Sequence, residues 1–377
     1  MRTTSSLLPG LVPATSLAAQ AAGVGLTLWL LVGAASLWAA DYPRTQWATA
    51  TPAEAGLDTG KLLAARDYAL SGGGAGCIVR GGRLVFSWGD LEERFDLKST
   101  TKSFGAAALG LAIADGKLRL GDKACSHHLA FGTPPVENTQ TGWLKDITIR
   151  HLASQTAGFD KPGGYAPLLF QPGTEWAYSD GGPNWLAECI TLAYHRDLDE
   201  LMFERVFNPL GIRRSDLGWR GNAYRPDLIE GIKRREFGSG ISANVDAMAR
   251  FGLLWLRGGE WNGQRILARE FVDQVRTTPT ELRGLPVRKP DEYGRASNHY
   301  GLLWWNNADG TLPGVPRDTY WTWGLYDSLI VVMPALDIAV ARAGQGWKRT
   351  PGADHYEVLK PFLRPIVAAA RTIDSPP

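Results

Sequence analysis

The sequence predicts a mixed α/β (α+β) fold, an antiparallel sheet built from both ends of the chain, flanked by helices, with an all-helical lobe inserted between. Two strand-like runs joined by Gly81-Gly82 lie early in the chain, a second hairpin pattern lies near its end, and helical spacing fills the middle. The chain has 377 residues, 44% hydrophobic and 21% charged, which is ordinary globular composition. Forty basic residues against 38 acidic ones give a net charge of +2, without the basic bias of a nucleic-acid binder. The three cysteines form no Cys-x-x-Cys pair, and the adjacent His127-His128 has no matching ligand spacing, so no metal centre is expected. The 15 tryptophans point to a thick core or an aromatic-lined cleft.

The elements follow in order. No charge occurs between Arg2 and Asp41, and residues 23–40 are an apolar run. Residues 1–40 therefore read as either a secretory signal peptide or a membrane anchor, leaving 41–377 as the folded domain. Both readings place that domain outside the cytoplasm, as a periplasmic, secreted or anchored protein, with membrane association through the leader in one of them. An amphipathic helix is expected over 58–70, then a hairpin over 77–88 whose Gly-Gly turn permits positive φ. Residues 103–113 are apolar nearly all round and predict a buried helix. Helical patterns recur at 143–154, 183–194, 199–207 and 245–257. Strand character returns at 300–305 and in a hairpin over 328–342. A last helix is expected over 354–370, kinked or late in starting because of Pro361 and Pro365. The sheet lobe would comprise about 41–98 and 293–377, and the helical lobe about 99–292.

The candidate chemistry begins at Ser99 and Lys102. A serine at a helix start and a lysine three residues on share one face, where the helix end carries partial positive charge. An amine there can deprotonate the hydroxyl, and the serine's own N–H can meet a developing oxyanion. A bland reading, a cap serine beside a solvated lysine, also fits that spacing. A second element is Tyr178 with Ser179 and Asp180, on a loop ahead of a helix. A phenol beside an ammonium can shuttle a proton, because the cation favours the phenolate.

Together with residues 147–158, Gln171-Pro172-Gly173-Thr174 and the 238–250 glycine-turn-plus-helix segment, these motifs resemble the serine β-lactamase and penicillin-binding-protein superfamily. The likeness covers most of 55–345 and is greatest to class C β-lactamase-related serine hydrolases. It implies a β-lactamase/transpeptidase-like fold. Ser99 would be the acylated nucleophile, Lys102 would deprotonate it or tune Tyr178, and Tyr178 would be general base and acid. The third motif would fall at Thr322-Trp323-Gly324, with Gly324 letting substrate lie against the strand and the Leu325 N–H completing an oxyanion hole. No cofactor or metal is implied.

Two departures from the family pattern bear on substrate. Trp323 stands where a Lys or His is usual, so the cation expected opposite a substrate carboxylate is absent from the motif, and Asp180 replaces the usual Asn. Placed as the resemblance implies, Asp180 would face Lys102; alternatively it caps the following helix. The expected activity is hydrolysis of a small ester or amide through an acyl-enzyme. The alternatives are a β-lactamase or DD-peptidase, and a catalytically weak relative that binds ligand or serves as a scaffold.

Overall fold

The protein is described here from a computed structural model covering residues 42–370. The 1–40 leader lies outside the described residues.

Six antiparallel strands form the main sheet, in the order Trp305–Asn306, Tyr320–Trp321, Leu329–Met333, Ile338–Ala343, Ala75–Arg80, Arg83–Trp88. Strands from the two ends of the chain meet at its centre, with Ile78 opposite Val340. The hairpin turn forms as its chemistry requires, Gly81 and Gly82 having φ of 63° and 81°. Side chains alternate across the sheet. Ile330 and Val332 enter one core, whereas Leu329, Val331 and Met333 enter the other. Both faces are covered, so Leu329–Met333 is apolar throughout instead of alternating.

The helices Thr59–Leu70 and Lys360–Ala370 cover one face. Asp58 caps the first, its carboxylate accepting from the Lys61 N–H at 3.0 Å. Val245–Leu256 covers the other face, where Gly252 lets the helix approach Ile330. The buried helix Thr101–Ala114 packs against it through Phe104 and Phe251, whose rings stack at 4.1 Å. Gly105 and Gly110 in that helix make room for Phe237 and Phe271.

Some elements differ from the sequence expectation. Only Trp305–Asn306 of the 300–305 region is a strand, because Leu303 sits at φ 63° and the Gly301 N–H turns back to Trp304 O. The apolar run there is buried loop. The 143–154 pattern divides into a 3-10 turn at Leu144–Asp146 and a short helix at Ile149–Ala153, restarted by the Thr148 cap. The last helix starts late, at Lys360, with Pro361 in its first turn, where the missing N–H is harmless.

A small second sheet pairs Arg94–Asp96 with Ile241–Asn244, which in turn pairs with Leu217–Trp219. It fixes the entry to the Thr101–Ala114 helix. The Leu97 N–H donates to Ile241 O at 3.0 Å, and Thr101 Oγ1 accepts from the Ile241 N–H at 3.1 Å. Cys77, Cys125 and Cys189 are all unpaired.

Candidate active site

Ser99 lies in the 3-10 turn Lys98–Thr100, one step before the helix. Thr100 locks that turn to the sheet by donating to Ser328 O at 2.7 Å. The spacing of three brings Lys102 Nζ to 3.1 Å from Ser99 Oγ. Lys102 is only 2% exposed, and its ammonium has two further partners, the Asp180 carboxylate and Gly238 O at 3.1 Å. Burial by itself would push the lysine pKa down. The charge of Asp180 and contact with Tyr178 outweigh it, and the net shift is upward. For Asp180 burial acts upward, but Lys102 and then Lys161 hold the carboxyl below its ordinary range.

Asp180 occupies the cap position of the helix Gly181–Tyr194 without capping it. Ser179 takes that role, its Oγ accepting from the Gly182 N–H at 3.2 Å. Gly238 is a required glycine, because a Cβ there would lie 2.9 Å from Asp180 Cβ. Asn184 Oδ1 holds that turn by accepting from the N–H groups of Phe237 and Gly238 at 3.0 and 2.8 Å.

Tyr178 stacks on Tyr293 and Trp305 at 5.4 and 5.9 Å between centroids. Two ammonium groups flank its ring: Lys102 at 4.8 Å and Lys161 at 4.6 Å from the centroid. Lys161 also lies 3.4 Å from Asp180 Oδ2.

Ser99, Tyr178, Asp180, Trp323, Gly324 and Leu325 line one cleft of about 580 Å³, with Lys102 beneath its floor. The strand containing Tyr320–Trp321 extends its pairing through Thr322 and Gly324, whose N–H groups donate to Ile330 O and Ser328 O. A Cβ on Gly324 would meet Leu97 O at 2.2 Å, so only glycine lets this strand pass beside Ser99. Among the described residues, the N–H groups of Ser99 and Leu325 donate to no other group of the protein. Trp323 does not face open solvent. Its indole donates to Asp327 at 2.8 Å and its ring lies 4.5 Å from that of His355.

Motif reading missed Lys161, Tyr293, Trp305, Arg349 and His355, all of which line the cleft. Arg349 places a guanidinium beside Trp323, although the third motif has no cation. That guanidinium is held by both oxygens of Asp327, at 2.7 and 3.2 Å. These residues reach the cleft from remote loops, and nothing in their local sequence marks them. The tryptophan count was the one advance signal of the aromatic wall. The histidine pair is structural: His127 contacts Asp122, and His128 contacts the buried Glu188.

The β-lactamase family model matches residues 61–360, most of the chain and the whole of this site. The chain belongs to the β-lactamase family. Members of this family are serine hydrolases, and the D-aminopeptidase of Brucella anthropi is 28% identical over 219 residues, covering 47% of this chain and 41% of that protein. The match thus spans less than half of the D-aminopeptidase. An uncharacterized protein of Alkalihalophilus pseudofirmus is 21% identical over 72% of this chain and 79% of its own. Among solved structures, a family VIII carboxylesterase superposes with a TM-score of 0.60 at 15% identity, covering 84% of this chain and 98% of that one. EstCE1, a hydrolase with promiscuous acyltransferase activity, gives 0.59 at 19% identity, covering 82% and 97%. At such identities these two structures establish the shared fold.

Proposed function

We propose that this β-lactamase-family serine hydrolase cleaves a neutral ester or amide through an acyl-enzyme on Ser99. The observation that carries the reading is the contact between Lys102 Nζ and Ser99 Oγ, made by a lysine that Asp180 keeps protonated. An ammonium is a poor base, so Tyr178, as its phenolate, takes the Ser99 proton as Oγ attacks the substrate carbonyl. The N–H groups of Ser99 and Leu325 receive the oxyanion. Tyr178 then passes the proton to the leaving group, and water reverses the sequence to release the acid.

Neutral substrates fit a cleft in which most of the lining charges are paired. Lys98 is answered by Asp96, Arg220 by Glu236 and Arg349 by Asp327. One wall is aromatic, and Leu325, 68% exposed, offers apolar surface at the opening. An amide of a D-amino acid is a second reading, favoured by the likeness to D-aminopeptidase. The Ser99–Lys102 contact tells against a ligand-binding scaffold without activity. We further propose export through the uncharged leader, to be checked by cell fractionation with amino-terminal sequencing.

The deciding experiment is intact-protein mass spectrometry with a fluorophosphonate and with a penicillin, wild type beside Ser99→Ala, together with turnover of short-chain p-nitrophenyl esters. Labelling at Ser99, lost in the variant along with turnover, is the expected result. Labelling at another serine refutes the assignment.

A further inference from the structure

Lys161 has no place in any of the three sequence motifs, yet the fold fixes it against the centre of the site. Its backbone carbonyl accepts from the Asp180 N–H at 3.0 Å, and its own N–H donates to Asp160 Oδ1 at 2.7 Å. The adjoining Asp160 carbonyl accepts from Ser179 Oγ at 2.8 Å. The loop that contains Lys161 is therefore tied along its backbone to the segment that contains Tyr178 and Asp180. The side chain reaches the face of Tyr178 at 4.6 Å and Asp180 Oδ2 at 3.4 Å while remaining nearly half exposed.

We propose that Lys161 is a second cation of the site, which brackets Asp180 and Tyr178 together with Lys102. The inference rests on the acyl-enzyme reading above. Lys102 and Asp180 alone form a neutral pair, and the carboxylate would oppose a phenolate on Tyr178. With Lys161 the cluster has two ammonium groups and one carboxylate, a net positive charge beside the phenol.

The other groups around Tyr178 do not supply this charge. Tyr293 and Tyr300 are neutral, held so by burial. Across the small side pocket next to Tyr178, Arg288 is answered by Glu175 at 2.9 Å, and Lys289 by Glu292 at 3.8 Å. Asp160 engages the Lys161 backbone N–H. Lys161 is thus the cleft cation whose carboxylate partner is shared with another ammonium. It acts through Tyr178 and Asp180 and is a positioning residue.

The test is the rate–pH profile of Lys161→Met, Lys161→Arg and Lys161→Met/Asp180→Asn on a neutral p-nitrophenyl ester, with fluorophosphonate labelling of Ser99 and melting temperature measured in parallel. Lys161→Met should nearly keep its melting temperature, because the side chain is nearly half exposed and Asp180 retains Lys102. Its acid limb should move up by about one pH unit, with kcat near pH 7 down about tenfold and KM little changed. Lys161→Arg should restore the profile. Adding Asp180→Asn removes the opposing charge and should move the limb back down. An unshifted limb overturns the inference, as does a lower melting temperature with no shift. A rise in KM confined to carboxylate-bearing substrates, with kcat on the neutral ester unchanged, also overturns it and makes Lys161 a substrate contact. If wild type labels at Ser99 and only the pH behaviour fails, the acyl-enzyme reading survives; if wild type does not label at Ser99, both fall.

Discussion

Asp180 stands at the head of the helix Gly181–Tyr194, but its carboxylate turns from the helix N–H groups to pair with Lys102, while Ser179 caps the helix in its place. Of the two roles open to an aspartate here, the structure realises the ion pair. Lys102 has almost no solvent, so its charge depends on that partner.

Asp180→Asn should shift both limbs of the rate–pH profile to lower pH. Without the carboxylate, Lys102 loses the interaction that raises its pKa and deprotonates earlier. The same change removes a negative charge facing Tyr178 and any substrate carboxylate. Turnover of a penicillin relative to a neutral ester should therefore rise. Asp180→Ala leaves Lys102 buried without its carboxylate and should destabilise by about 3–5 kcal/mol in urea unfolding. In the wild type, the stability from this carboxylate is present above the ordinary carboxylate range and is lost as pH falls through the depressed value.

Gly324→Ala should lower both stability and activity. The added methyl would lie 2.2 Å from Leu97 O and 2.3 Å from Ser328 Oγ, pressing the strand away from Ser99. Overpacking of this kind destabilises by about 1–3 kcal/mol. Adding Ser328→Ala should not rescue the variant, because the backbone carbonyl of Leu97 remains. Thermal melts and kcat/KM for the pair of variants check this.

His355 should make the fold acid-sensitive. Burial, followed by the nearby Arg349, lowers its pKa from 6.5 to about 4. The unfolded chain therefore binds a proton that the folded one refuses as pH falls from 6.5 towards about 4, and stability is lost across that window. His355→Phe should flatten that part of the stability–pH curve, measured as melting temperature at each pH.

Arg225→Leu should destabilise by about 3 kcal/mol, because the buried Glu188 loses the closer of its two guanidinium partners and keeps Arg234 at 3.1 Å. Arg225 donates to Glu188 at 2.7 Å and to the carbonyls of Gly164 and Gly181 at 3.0 and 3.3 Å, stacking on Trp185. A double-mutant cycle of Arg225→Leu and Glu188→Leu in urea measures the coupling of the pair.

Local chemistry made some of this legible. The Gly81-Gly82 turn and the apolar Thr101–Ala114 helix depend on residues a few positions apart, and the sequence displays them directly. The 300–305 run misled because burial, not strand pairing, made it apolar, and a left-handed Leu303 leaves no trace in composition. Within the cleft, Ser99 and Lys102 were legible through their spacing. Trp323 and Gly324 emerged only through resemblance. Lys161 and His355 were invisible, since their approach depends on where long loops return.

The pairing of Ala75–Arg80 with Ile338–Ala343 has a kinetic consequence. Its loop closure spans most of the described chain, so the central strands join only after a large entropic search, and folding is expected to be slow. Ser99 follows the early strands, whereas Gly324 and Leu325 precede the late ones. On a ribosome, Ser99 and the strand segment with Gly324 and Leu325 cannot meet until nearly the whole chain has emerged, so a nascent fragment carries the serine without its completed cleft.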